Sequence, residues 1–197
     1  HATSASASVS YRCNLGIEDS YVYTGPEWVT LNLDFSGFAS GFFDDKQSNL
    51  LVTGASGIVA GSAQLLGSTS NFSVQSDKAN FRVQAGVGRD DVGPDTDGQS
   101  TSENGALALS ILTDPRRSLV VRLTLSAFAE VEGTSSALML AMADGSQTLN
   151  FAADRPVFEV SDGLIADFAE VNIFDNRWVG PREPDVAPVP HPASLPI

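Results

Sequence analysis

The sequence predicts an all-β fold, a jelly-roll-like antiparallel β-sandwich of about ten strands. Three observations support this prediction. Apolar and polar residues alternate with a period of two along much of the chain, as in strands with one buried face. Groups of Gly, Pro and Asp separate the alternating segments, as the tight turns of antiparallel sheets require. The 197 residues are 42% hydrophobic, which is sufficient for the core of one domain.

The alternating segments predict the strands in chain order. From Ala5 to Cys13 small apolar residues alternate mostly with serines, which predicts an extended N-terminal strand within residues 1–13. The longest alternating series occupies residues 119–131. Residues 136–142 are uniformly apolar, and we expect a buried strand there rather than a helix. The other predicted strands lie at 29–35, 72–74, 81–87, 107–111, 149–151, 158–160 and 171–173.

Turn residues divide these segments. Pro at the second position of a turn presets φ, and Asp-Gly supplies the positive φ that tight hairpins need. The predicted turns are Thr24-Gly25-Pro26, Gly54-Ala55-Ser56-Gly57, Asp114-Pro115-Arg116-Arg117, Asp144-Gly145 and Asp162-Gly163.

The proline distribution indicates the domain organisation. Six of the ten prolines fall within residues 181–197, and because proline lacks an N–H donor this segment is expected to be an extended, Pro-rich C-terminal arm. We expect residues 1–180 to form the β-sandwich domain. Residues 1–13 either pair within that domain or are exchanged with a neighbouring copy of the chain.

The charge balance excludes several classes of partner. The chain has 24 Asp and Glu against 11 Lys and Arg, for a formal net charge of −13. Such a surface repels nucleic acids and anionic lipids, so neither is an expected partner. No apolar run reaches the roughly 18 residues of a membrane helix, so we expect no membrane span in this chain. Cys13 is the single cysteine, so an intrachain disulfide is excluded. We expect Cys13 to be a small buried hydrophobic residue.

Residues that could carry catalysis are few. The two histidines are His1 and His191, which excludes a Ser-His-Asp triad and a three-histidine zinc site. Glu130 and Glu132 lie two residues apart on one predicted strand, opposite its apolar row, and are expected to face solvent. We therefore expect a protein that is not an enzyme.

An acidic segment at residues 90–105 is the candidate metal site. Calcium prefers six to eight oxygen ligands, and alternate acids on a Gly-containing loop can supply several of them. The candidate ligands are Asp91, Asp95, Asp97 and Glu103. Their spacing departs from that of an EF-hand loop, because the first and last ligand positions would fall on Gly93 and Asn104. Calcium binding and a solvated acidic hairpin loop both remain open.

Aromatic residues near the first predicted turn form a candidate ligand site. Tyr21, Tyr23 and Trp28 are close together in sequence, and flat rings can stack on the faces of sugars. The alternative is that these side chains pack in the core, as Trp and Tyr commonly do.

A short motif in the C-terminal arm resembles a known sorting signal. The segment Val189-Pro190-His191-Pro192-Ala193 resembles the start of the PEP-CTERM signal, closest to its VPLPA variant, in which a V-P-x-P-A motif leads into a membrane helix and a basic cluster. His191 stands where that family usually carries Glu or Leu. The resemblance, carried by Val189, Pro190, Pro192 and Ala193, implies exosortase processing and a bacterial cell-surface or matrix location. A generic Pro-rich linker is the alternative.

These observations lead to two functional hypotheses. The chain begins His1-Ala2-Thr3, as a mature secreted protein does after removal of a signal peptide. We expect a non-enzymatic, secreted structural protein of the bacterial cell surface or biofilm matrix, whose copies assemble into a filament through the N-terminal strand or the C-terminal arm. The alternative is a calcium-assisted carbohydrate-binding β-sandwich, with an extracellular polysaccharide as its partner.

Overall fold

The computed structural model describes residues 1–45, 54–69, 71, 73–87, 95–132, 138–144 and 149–180. These residues form thirteen strands and one short 3-10 helix, Ala169–Val171. The strands are β1 (Ala2–Cys13), β2 (Gly16–Ile17), β3 (Glu27–Asp45), β4 (Gly54–Ser68), β5 (Val74–Val87), β6 (Asp95–Thr113), β7 (Leu119–Glu132), β8 (Leu138–Asp144), β9 (Leu149–Phe151), β10 (Phe158–Glu159), β11 (Leu164–Ile165), β12 (Ile173–Phe174) and β13 (Arg177–Trp178). The number exceeds the sequence prediction because several strands span only two residues.

The strands form two main antiparallel sheets. The first sheet has the order β1-β7-β4-β5. In the second, β3 pairs with β6 along one edge and with β10, β9 and β8 in succession along the other. Two small sheets, β11-β2 and β12-β13, complete the fold. The predicted all-β sandwich is confirmed.

The six long strands have the nested pairing of a jelly roll. β1 pairs with β7, β3 with β6, and β4 with β5. Counted among the six long strands alone, the first pairs with the sixth, the second with the fifth and the third with the fourth. Rolling one long antiparallel ribbon onto itself produces this order, and it also places β7 beside β4. The strands are long, with 19 residues each in β3 and β6.

One end of the sandwich, which we call the thick end, contains the main core. Alternate residues of the long strands point inward there, because side chains of a strand alternate between its two faces. Leu31 and Leu33 of β3, Leu65 of β4 and Leu109 of β6 are completely buried. Phe158 of β10 is also fully buried and packs edge-on against Phe168. Large aliphatic and aromatic side chains therefore separate the two sheets at this end.

At the opposite end, the thin end, the sheets approach each other through their backbones. A Cβ atom added to Gly41 of β3 would overlap the carbonyl oxygen of Ala55, and one added to Gly57 of β4 would overlap that of Met142. Inward-facing residues at this end are small, among them Ala39 and Ala55, which are buried. Glycine is required at Gly41 and Gly57 because the backbone of the opposite sheet occupies the space of a side chain, whereas Val87 still fits beside Ala55.

The thin end corrects two sequence predictions. Gly54 to Gly57 does not form a turn but begins β4, where small residues permit the close approach of the sheets. β8 confirms a strand within 136–142, although Leu140 and Met142 are 57% and 50% exposed instead of buried. The reason is the narrow gap, which accepts the small side chain of Ala141 on the inner face and leaves the larger residues on the outer face.

Candidate functional site

The first strand of the first sheet is an exposed edge. β1 pairs with β7 over its whole length, in an unbroken register from Ala2 opposite Glu130 to Cys13 opposite Leu119. Within the described part of the chain, β1 has no hydrogen-bonded strand on its other side. All residues from Ala2 to Ser10 are exposed, and Cys13 is buried at the far end. The N-terminal portion of β1 is thus accessible on its edge and on both faces.

The backbone groups of β1 alternate between β7 and the free edge. His1 and Val131 exchange both of their backbone hydrogen bonds, since the N–H of each donates to the carbonyl of the other. In an antiparallel pair such exchanges occur at every second residue. Ser4, Ser6 and Ser8 therefore direct their N–H and C=O groups away from β7, towards the free edge.

The composition of β1 does not protect this edge. Residues 2–10 carry no charge and no proline, and the unbroken register leaves no room for a bulge. Lysines, prolines and bulges are the common devices by which proteins prevent edge-to-edge pairing. Within this single chain β1 pairs with its own β7. The predicted exchange of residues 1–13 with a neighbouring copy stays a prediction.

On two other edges of the sandwich, side chains bind some of the backbone groups. On β10, the backbone N–H of Phe158 donates to Oδ1 of Asn176 at 2.8 Å, and Nδ2 of Asn176 donates to the carbonyl of Phe158. Between β5 and β6, the N–H of Ser110 donates to the carboxylate of Asp77 at 2.9 Å. These contacts occupy backbone groups that would otherwise be available to another strand. β1 differs from both edges.

The aromatic candidates do not form one platform. The Tyr21 hydroxyl donates to Oε1 of Glu27 at 2.6 Å, and burial together with this hydrogen bond raises the pKa of Tyr21 to about 12. The Arg116 guanidinium lies 3.4 Å from the centre of the Tyr23 ring. Trp28, by contrast, is 64% exposed on the outer face of β3, opposite Leu112. Tyr21 and Tyr23 make intramolecular contacts, and Trp28 alone presents an open ring.

A buried carboxylate organises the turn beside Tyr23. Asp114 is 2% exposed and accepts hydrogen bonds from the backbone N–H, Nε and Nη2 of Arg116 at 3.1, 3.0 and 2.9 Å. The bonds from Arg116 lower the pKa of Asp114 to about 2. The sequence reasoning identified this segment as a turn but did not single out Asp114. The pairing of an acid with an arginine two residues later was the available signal.

The acidic segment is only partly a loop. Asp91 lies outside the described residues, whereas β6 begins at Asp95 and continues through Asp97 and Glu103. The expected loop at 90–105 is therefore wrong from Asp95 onward, because this stretch pairs with the C-terminal half of β3. Glu103 is exposed. Among the described residues, no group of three potential metal ligands occurs, and calcium binding stays a prediction.

A shallow cavity at the thin end contains the paired glutamates. It has a volume of about 630 Å³, and its lining includes Ser56, Gln84, Gln99, Glu130 and Glu132. Both glutamates are exposed on the outer face of β7, as predicted. A glycosidase pair flanks the bond to be cleaved, with one carboxyl group kept protonated by its surroundings. Glu130 and Glu132 are both exposed to solvent, so neither has the buried surroundings that keep a glycosidase carboxyl group protonated.

Cys13 lies at the buried end of β1. Its side chain is 2% exposed, and burial together with the nearby charge of Glu170 raises the pKa of the thiol to about 11. Such a thiol is protonated at neutral pH and is a poor nucleophile. The expected role as a small buried hydrophobic residue is consistent with this position.

The sorting motif and the comparisons with known proteins bear on the family of this chain. Val189, Pro190, Pro192 and Ala193 lie outside the described residues, so the resemblance to PEP-CTERM signals stays a prediction. No protein-family model, curated protein or solved structure matches this chain. The described residues contain no helix that has the length and apolar character needed to cross a membrane.

Proposed function

We propose that this chain is a non-enzymatic structural protein of a bacterial cell surface or extracellular matrix, whose copies assemble through β1. The observation that carries the proposal is the unprotected edge of this strand, which is exposed from Ala2 to Ser10. The sorting motif and the acidic composition support a location outside the cell.

Backbone pairing supplies the chemistry of assembly. An added strand would accept from and donate to the outward groups of alternate residues such as Ser4, Ser6 and Ser8, and each such hydrogen bond contributes about 1 kcal/mol net. The small side chains of β1 allow a second backbone to approach at the usual strand spacing of about 4.8 Å. Pairing of β1 with β1 of another copy gives a closed dimer, whereas pairing with a different edge gives an open filament.

The test removes one outward N–H without touching the bonds to β7. Ser6→Pro deletes a donor that faces the free edge, and its ring takes the place where the carbonyl of an added strand would lie. Proline is tolerated on edge strands in that orientation. We expect the wild-type chain to form dimers or filaments with rising concentration, by light scattering and electron microscopy, and Ser6→Pro to remain monomeric. Ser6→Ala, which keeps the N–H, is the matched control and should assemble normally.

Two results would contradict the proposal. One is a wild-type chain that stays monomeric at high concentration. The other is assembly of Ser6→Pro equal to that of the wild type. If Ser6→Pro fails to fold by circular dichroism, Ser8→Pro offers the same deletion one pair further along the edge, since Ser8 also faces away from β7.

The alternative function is calcium-assisted carbohydrate binding, and the exposed ring of Trp28 favours it. The side chain is 64% exposed beside the hydrogen-bonded hydroxyls of Thr30 and Ser110, which lie 2.7 Å apart on the same face. A flat ring next to hydroxyl groups can stack on a sugar and bind its hydroxyls. Binding on a glycan array that is lost in Trp28→Ala and on chelation of calcium would support this function, and no glycan response in either condition would contradict it.

A further inference from the structure

The outer face of the first sheet carries an unusual distribution of charge. Five consecutive rows of side chains cross β1, β7, β4 and β5, from the row of Ser4 to the row of Arg12. We call this surface the basic face. Its rows are Ser4, Phe128, Ile58 and Gln84; Ser6, Ser126, Ala60 and Arg82; Ser8, Thr124, Ser62 and Asn80; Ser10, Arg122, Gln64 and Lys78; and Arg12, Val120, Leu66 and Ser76.

The basic face has four cations and no acid, in a chain whose formal net charge is −13. The cations are Arg12, Arg122, Lys78 and Arg82. Acidic residues begin only in the next row, at Glu130. In the part of the chain that the structure describes, the ion pairs of arginine involve other residues, and these four cations take part in none of them. Arg12 lines a cavity together with Asp167 and Glu170. The rows that contain Arg122, Lys78 and Arg82 hold no acid, so the charges of these three cations are available to a ligand.

The spacing of the cations suits an extended ligand. Arg122 and Lys78 share a row and are separated by β4, so their backbones lie about 10 Å apart. Arg82 follows Lys78 by four residues along β5, which is about 14 Å. The row between them consists of Ser8, Thr124, Ser62 and Asn80, whose polar groups can bind uncharged hydroxyls.

We propose that the basic face binds an acidic polysaccharide that carries carboxylate groups. Arginine binds carboxylates through paired, charge-assisted hydrogen bonds, and the serine, threonine and amide side chains between the cations match sugar hydroxyls. A protein partner would require an apolar centre rich in aromatic residues, whereas the middle row here is entirely polar. Nucleic acid is disfavoured, because a duplex carries about one charge per 1.7 Å, far more densely than the cations on this face are spaced, and the excess is repelled by the rest of this acidic chain.

This site is separate from the assembly edge. Ligand on the basic face would contact side chains of the sheet, while the free edge of β1 uses backbone groups directed sideways. A matrix protein with both features would bind polysaccharide and also pair with copies of itself. The inference does not depend on the proposed assembly, and it can be tested on a monomeric chain.

Binding of polygalacturonate provides the test, with neutral dextran as the comparison polymer. We expect the folded chain to bind polygalacturonate at low ionic strength, to lose this binding at high ionic strength, and to ignore dextran. Arg122→Gln removes one charge-assisted contact and should weaken binding about tenfold. Arg177→Gln is the matched control, since Arg177 is exposed on β13 and its substitution changes the net charge equally.

Three outcomes would overturn the inference: no binding of polygalacturonate by the wild type, equal weakening by Arg122→Gln and Arg177→Gln, or tighter binding of RNA than of polygalacturonate. Thermal unfolding confirms that the variants are folded, and Lys78→Gln repeats the test if Arg122→Gln is unstable. Measurement at a dilution at which light scattering shows the wild type to be monomeric separates this site from assembly. Polygalacturonate binding that the monomer retains leaves the inference intact, whereas binding that disappears once the chain is monomeric contradicts it.

Discussion

The two ends of the sandwich are built by opposite means. At the thick end, large side chains such as Leu31 and Phe158 separate the sheets and are completely buried. At the thin end, Gly41 and Gly57 let the backbones of the two sheets touch, and little side chain lies between them. Burial of apolar area stabilises the first arrangement, whereas close approach of backbones stabilises the second.

This difference predicts how stability is distributed along the same strands. β3 passes through both ends. Its N-terminal half is held by buried leucines, whereas its C-terminal half packs closely only because Gly41 has no side chain. Glycine also loses more conformational entropy on folding than any other residue. The thick end should therefore hold most of the stabilisation energy, and the thin end should be the more sensitive to added atoms.

The largest expected effect comes from emptying the thick end. Phe158→Ala removes a fully buried ring from the main core, and we expect a loss of about 4 kcal/mol in the free energy of unfolding. Chemical denaturation measures this loss. Trp28→Ala, at a 64% exposed position, is the control and should change stability little. A loss below about 1 kcal/mol for Phe158→Ala would place the core elsewhere.

The next effect comes from filling the thin end. Gly57→Ala adds a Cβ that overlaps the backbone carbonyl of Met142, and a backbone atom cannot move aside cheaply. We expect a loss of about 3 kcal/mol. Gly16→Ala is the control, because its added Cβ would lie 3.4 Å from the Cβ of Ile165, an ordinary contact distance. Equal stability of the two variants would show that the sheets are further apart than described.

A third effect tests the turn that closes the thick end. The pKa of Asp114 is lowered from 3.8 to about 2, so its contribution to stability is present above pH 3.8 and is lost as the pH falls through about 2. We expect Asp114→Asn to lose about 2 kcal/mol at neutral pH, because the charged hydrogen bonds to Arg116 are removed. The melting temperature of the variant should also depend less on pH in the acid range. An identical acid dependence in both chains would contradict this role.

The smallest effect compares the two halves of β3 without a mutation. Backbone amides that open by local unfolding exchange with solvent faster than those in a well-packed core. The amides of Ala39 and Gly41 should exchange about tenfold faster than those of Leu31 and Leu33, measured by hydrogen exchange. Uniform protection along β3 would mean that the sandwich unfolds as one unit, with no weaker end.

Local alternation made most strands predictable. The segments at 29–35, 81–87, 107–111 and 119–131 all lie within observed strands, because one buried face imposes a period of two. β4 was missed altogether, because Gly54 to Gly57 has the composition of a turn and no strand was predicted over the rest of Gly54–Ser68. Gly57 is needed because the backbone of Met142 in the opposite sheet packs against it. Local composition contains no information about that contact. For the same reason the sequence predicted that Leu140 and Met142 are buried, although both are exposed on the outer face of β8.

The sequence by itself determined the fold class, the acidic charge and the extended first strand, because these depend on composition and on the alternation of neighbouring residues. Only the tertiary structure decided that β1 is an unprotected edge, that Trp28 is separated from Tyr21, and that four scattered cations share one face. Strand register brings together residues that are far apart in the chain. That register follows from how the whole core packs, so no local pattern contains it.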